Sequence, residues 1–176
     1  MTPEQMLASI LTPQVGSDVE SIAREFGATR REQNPNLARL LAGSDDRRSR
    51  EYRNALRRVQ RYRAGPDHQH RTPPPEVRTR LQRTARRLAA ARRRRELTQR
   101  PSWVEISGSI EVSQDRRRRT VGSPLPAEAM ADVVDTWQSG DRAGAADSFQ
   151  EAFADQYGVS GLAIHEVDAW SFGFGA

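Results

Sequence analysis

Guanidinium groups are the side chains best equipped for chemistry in this sequence. All 28 basic residues are arginine and none is lysine, which excludes a phosphate-loop lysine and a Schiff-base lysine. Arginine's planar fork matches phosphate oxygens two at a time. A GC-rich coding bias would also give an all-arginine set, so single arginines carry less than their number suggests. With no cysteine, disulfides, thiolate nucleophiles and cysteine-bound zinc are absent. His68 and His70 flank Gln69 in a proline-bounded stretch with no third ligand at useful spacing, so no metal is expected there. His165 follows Ile164 in an alternating stretch beside Glu166 and Asp168, the place of an exposed or hydrogen-bonded histidine rather than a general base. Asp132 and Asp135 share a helix surface and are read as solvated. No catalytic carboxylate pair stands out. The expectation is therefore a protein that is not an enzyme and needs no cofactor and no metal.

The charge is unevenly laid out. Residues 1–46 carry a net −3, residues 47–119 a net +16 and residues 120–176 a net −8, which together give the chain's +5. A basic block between two acidic ones concentrates a polyanion, and binding that releases condensed counterions weakens steeply with salt. Duplex DNA is the expected partner. No stretch approaches the roughly 18 consecutive apolar residues of a membrane span, and no apolar face beside the arginines is wide enough to enter lipid. No membrane partner and no export signal are expected, and the localisation expected is cytoplasmic and nucleoid-associated.

Periodicity supplies the elements that would position these groups. Met6, Leu7, Ile10 and Leu11, then Val19, Ile22, Ala23 and Phe26, predict short helices over 4–11 and 18–26. Asn34 before Pro35 predicts the start of a third helix, with Leu37, Leu40 and Leu41 inward and Gly43 ending it. Ser44–Asp46 offers caps for a fourth, about 47–64, with Tyr52, Ala55, Leu56, Val59 and either Tyr62 or Arg63 as its inner stripe. Arg50, Arg53, Arg57, Arg58 and Arg61 take its remaining faces, as a recognition helix requires. After the stop at Pro73–Pro75 a basic helix is expected over about 76–97. Val77, Leu81, Thr84 or Ala85, and Leu88 form its apolar face, and Arg78, Arg80, Arg83, Arg86, Arg87, Arg92, Arg93 and Arg94 are candidates for phosphate contact.

Beyond Pro101 the pattern changes to alternation. Val104 and Ile106 are separated from Ile110 and Val112 by Ser107-Gly108-Ser109, a hairpin signature. A short strand at Thr120–Val121 is followed by one amphipathic helix bearing Met130, Val133, Val134 and Trp137, and another bearing Ala146, Phe149, Phe153 and Tyr157. Gly140 and Asp141 separate them. A last strand holds Leu162, Ile164 and Val167, with a bulge near Glu166, and leads to Trp170, Phe172 and Phe174. The aromatic residues Trp137, Phe149, Phe153 and Trp170 are expected in a core or subunit interface rather than as base-stacking platforms.

At Arg57-Arg58-Val59-Gln60-Arg61-Tyr62, then Pro74-Pro75-Glu76-Val77-Arg78 and Arg80-Leu81-Gln82-Arg83, the chain resembles the terminal proteins of linear Streptomyces-type chromosomes and plasmids. The similarity covers roughly residues 36–172. It implies a protein that binds telomeric DNA ends and offers a side-chain hydroxyl as primer, staying attached to the 5′ phosphate while a polymerase does the chemistry. In that family the acceptor is a threonine in the loop after the second hairpin strand. Here that loop is represented by the short run Ser113 to Arg119, and Ser113 and Thr120 are the hydroxyls the resemblance would nominate. Either also suits an ordinary turn, so the chain could keep the DNA-binding architecture and lack priming.

The expected fold is α+β: an N-terminal helix-turn-helix region over 1–65, a proline-bounded arginine-rich helix over 66–100, and a small α+β domain over 101–176 serving dimerisation or partner contact. The expected function is duplex-DNA binding for a mobile or linear replicon. Alternatives are a nucleotide acceptor in protein-primed replication, with a replicon DNA polymerase or telomere-associated protein as partner, a helix-turn-helix transcriptional regulator, and binding to structured RNA. The strand, helix, helix order at 120–157 also allows a ribbon-helix-helix homodimer.

Overall fold

The computed structural model describes residues 1–64, 71–159 and 161–174. Along them run α1 (Pro3–Leu11), α2 (Val19–Arg24), α3 (Arg30–Ala42), α4 (Arg50–Tyr62), α5 (Pro75–Gln99), β1 (Ser102–Val112), β2 (Asp115–Leu125), α6 (Ala127–Ser139), α7 (Arg142–Tyr157) and β3 (Leu162–Phe174). The fold is α+β. Two compact units divide the chain, one of residues Pro13–Ala91 and one that joins Met1–Thr12 to Arg92–Ala176.

In the helical unit, α2, α3, α4 and the first part of α5 bury Ile22, Ala23, Leu37, Ala38, Tyr52, Ala55, Val59, Leu81, Ala85 and Ala89 together. α3 starts four residues before the Asn34–Pro35 signal, so Pro35 lies inside it. A proline there forfeits one intrahelical hydrogen bond, but the earlier start lets three polar side chains work. Gln33 Nε2 donates to the Gly27 carbonyl at 2.7 Å, Asn36 Nδ2 to the Phe26 carbonyl at 2.7 Å, and Ala28 N–H to Glu32 Oε2 at 2.9 Å. The cap of α4 is Ser49, which accepts from Tyr52 N–H at 3.1 Å, rather than the 44–46 stretch. Ser44 and Asp46 instead accept from Asp46 N–H and Arg48 N–H, a local turn that uses up their oxygens. On α5 the buried positions step by four from Leu81 to Ala85 and Ala89, and Leu88, expected inward, is 40% exposed.

The second unit is a three-stranded antiparallel sheet in the order β2-β1-β3. Alternation on β1 sends Val104, Ile106 and Ile110 to one face, where they meet Val121, Leu125, Ile164 and Val167 and the apolar sides of α1, α6 and α7. Phe149 and Phe153 lie buried at its centre, 6.1 Å apart between rings, while Trp137 and Trp170 pack at its margin. The first helix belongs to this core, not to the helical cluster: Met6, Leu7, Ile10 and Leu11 are buried in it. Met1 extends the attachment, since its backbone exchanges hydrogen bonds with Val167 at 2.7 and 2.8 Å.

The hairpin does not turn at Ser107-Gly108-Ser109. β1 runs straight through those residues, and the turn is Ser113-Gln114, both with positive φ (50° and 71°). Gly108 serves a different need. A Cβ there would lie 1.9 Å from the Glu166 carbonyl oxygen, so the glycine admits the neighbouring strand where β3 is bulged. Register shifts on either side of Gly108–Ser109 mark the bulge that the phase change near Glu166 suggests. β2 is correspondingly longer than a strand at Thr120–Val121: it carries all four consecutive arginines, Arg116 to Arg119.

Candidate nucleic-acid interface

α4 is anchored by one stripe and open on the other. Tyr52, Ala55 and Val59 are buried, while Arg50, Arg53, Arg57, Arg58 and Arg61 are exposed. Arg53 Nε reaches the Ser49 carbonyl at 3.4 Å. The side chains of Arg50, Arg57, Arg58 and Arg61 make no ion pair or hydrogen bond among the described residues. Glu51 is the one carboxylate on the helix. The exposed side therefore keeps a net positive charge among the described residues.

What holds this helix in place is an arginine of its own. Arg63 is 7% exposed. Its Nε and Nη2 donate to the two oxygens of Glu20 at 3.0 and 2.7 Å, Nη1 to Asn34 Oδ1 at 2.6 Å and Nη2 also to Gln33 Oε1 at 2.8 Å. One side chain thus ties the end of α4 to α2 and α3. The Arg63 hydrogen bonds hold the Glu20 carboxyl below the usual carboxylate range, against the opposing pull of burial. Sequence periodicity left Tyr62 and Arg63 as equivalent choices for the inner stripe; the carboxylate 43 residues away that decides between them has no local signal.

The arginines of α5 do not act alike. Arg78, Arg83, Arg86 and Arg87 are exposed with no side-chain partner among the described residues. Arg80 Nη2 instead donates to the Leu40 carbonyl at 2.8 Å, satisfying an end of α3. Arg92, Arg93 and Arg94 fall in the other unit. There the Arg93 guanidinium sits 5.4 and 5.6 Å from the ring centres of Phe172 and Phe174, a cation–π seat that gives it a structural task.

The remaining candidates lie in the sheet unit. Ser113 is exposed in the β1–β2 turn; Thr120 is on β2, its hydroxyl 2.7 Å from that of Ser107. The run between them is thus a turn and a strand rather than a loop. Arg118 pairs with Asp168 and Glu166, which raise its pKa further, Asp168 most, and Arg117 and Arg119 both reach Asp115. These strand arginines are internally compensated. His165 Nε2 is 2.9 Å from Glu111 Oε2. Asp132 borders a groove between α6 and α7 with Glu151 and Asp155, and no metal-binding cluster is present among the described residues. His68 and His70 lie outside the described residues. Compared with protein-family models, with curated proteins and with solved structures, the chain matches none.

Proposed function

We propose that residues 13–91 form a duplex-DNA-binding module of a mobile or linear replicon protein, resembling a telomere terminal protein. In this reading α3 and α4 are the helix-turn-helix, α4 enters the major groove, and the exposed arginines of α5 neutralise backbone phosphates. The observation that supports it most is the exposed side of α4, where Arg50, Arg57, Arg58 and Arg61 have no partner among the described residues and lie opposite a buried apolar stripe. Arginines with a structural task in this fold have a partner inside it: a carboxylate for Arg63, a carbonyl for Arg80 and aromatic rings for Arg93. The arginines of α4 that find none among the described residues are available to an external anion. Binding of the intact protein to random duplexes and to sequences selected from its own replicon, over a salt series, tests the reading. A preference for some sequences that survives raised salt indicates base readout, and equal, salt-sensitive binding to every duplex reduces the module to a backbone clamp. No measurable duplex binding at low salt would end the proposal.

A protein-priming role is the second reading, with Ser113 at the β1–β2 turn and Thr120 on β2 as its two exposed candidate hydroxyls. Incubation with a replicon polymerase and labelled nucleotide should then give a covalent adduct that Ser113→Ala or Thr120→Ala abolishes.

A further inference from the structure

Within the helical unit the second half of α4, the segment before α5 and the first turn of α5 enclose a groove of about 570 Å³. Arg57, Arg58, Arg61 and Arg71 all line it, together with Asn54 and a single carboxylate, Glu76. The backbone N–H of Arg71 donates to the Arg61 carbonyl at 3.3 Å, which fixes this fourth arginine at the edge of the groove. None of the four guanidinium groups pairs with Glu76 or with any other side chain among the described residues. Among the described residues, four like charges are therefore held around one space with one opposing charge beside it and no ion pair formed.

We propose that this groove is a seat for one phosphate group, whose oxygens are taken by Arg57, Arg58, Arg61 and Arg71. A planar guanidinium donates two parallel hydrogen bonds to a phosphate edge, and a tetrahedral phosphate offers several such edges where a carboxylate offers one. The volume is many times the ~30 Å³ of a water molecule, so a phosphodiester with its sugars fits as readily as a free ion. The proposal rests on the DNA-binding reading only for the source of the phosphate. Taken with it, Arg57 and Arg61 set the position of the backbone. Arg50 and Arg53, nearer the start of α4 and outside this groove, are left to reach base edges, as the N-terminal residues of recognition helices do.

The test uses the full chain, titrated with inorganic phosphate at constant ionic strength and, separately, with a random-sequence duplex, while arginine Nε–Hε resonances are followed by NMR. With inorganic phosphate, saturable shifts confined to Arg57, Arg58, Arg61 and Arg71 are expected; the duplex should shift these four together with Arg50, Arg53 and the exposed arginines of α5. Arg71→Ala should weaken both titrations roughly three- to tenfold, the discount for partial exposure included, whereas Arg31→Ala, at an exposed position on α3, leaves the phosphate titration unchanged. Saturation by phosphate without duplex binding supports the seat, assigns it to a free phosphate and removes the DNA reading alone. Phosphate shifts spread evenly over all arginines, or duplex binding that Arg71→Ala does not weaken, overturns the seat and leaves the DNA reading standing.

Discussion

Arg63 shows how little a residue's type says about its task in a chain whose basic residues are all arginine. Buried against Glu20, Gln33 and Asn34, it is a fastener, while its neighbour Arg61 is exposed. Removing one member of a buried charged pair leaves the other poorly solvated. Because Glu20 is about half exposed, with 45% of its side chain accessible, Arg63→Ala should cost about 2–3 kcal/mol in urea unfolding rather than the larger loss of a fully buried pair. The pH dependence follows from the direction of the Glu20 shift. Its pKa is lowered in the folded state, first by the hydrogen bonds from Arg63, so its stabilisation is present above the usual carboxylate range and is lost as pH falls from that range through the lowered folded-state value. The thermal midpoint should drop on acidification, and Glu20→Gln should flatten that drop. Gly108 gives the sharpest test of backbone packing. A methyl group there collides with the Glu166 carbonyl, so Gly108→Ala should destabilise by about 2–4 kcal/mol, read as a lower urea midpoint.

Elements were legible where one local pattern dominates. The helices over 4–11 and 127–157 and the final bulged strand follow directly from apolar spacing, because each buries one face. The β1–β2 hairpin was not, because Ser-Gly-Ser carries a turn signal locally while the constraint on Gly108 comes from a strand some 60 residues later in the chain. The real turn uses Ser113 and Gln114 in left-handed conformation, which disfavours residues with a Cβ by about 1–2 kcal/mol each. Gln114→Gly should accordingly stabilise the protein by about 0.5–1 kcal/mol in thermal unfolding. At α5 the sequence indicates a basic helix but not which arginines remain available. Arg80 and Arg93 have partners inside the fold, whereas Arg83 and Arg87, one turn apart, have none among the described residues. Arg83→Ala/Arg87→Ala should thus reduce the slope of log affinity against log salt by about 2, nearly one unit per lost phosphate contact, with a smaller effect from Arg80→Ala.

For the whole molecule, the charge division along the sequence is the feature best read without coordinates: the net +16 block contains α4 and α5, and the acidic C-terminal stretch contains α6 and α7. The membership of α1 is not legible, since its apolar stripe would suit any core, and only tertiary packing assigns Met6, Leu7, Ile10 and Leu11 to the sheet unit. A fragment of residues 101–176 lacks that cover and should expose apolar surface. Leu7→Ala in the full chain should cost about 2–4 kcal/mol and loosen the sheet unit, seen as faster amide exchange in β1 and β3. If the exposed arginines of α4 bind duplex DNA, duplex affinity over a salt series should distinguish the intact protein from Arg57→Ala/Arg61→Ala. The double variant should bind more weakly at every salt concentration, with a slope shallower by about 2. Affinity and slope equal to those of the intact protein would contradict that reading.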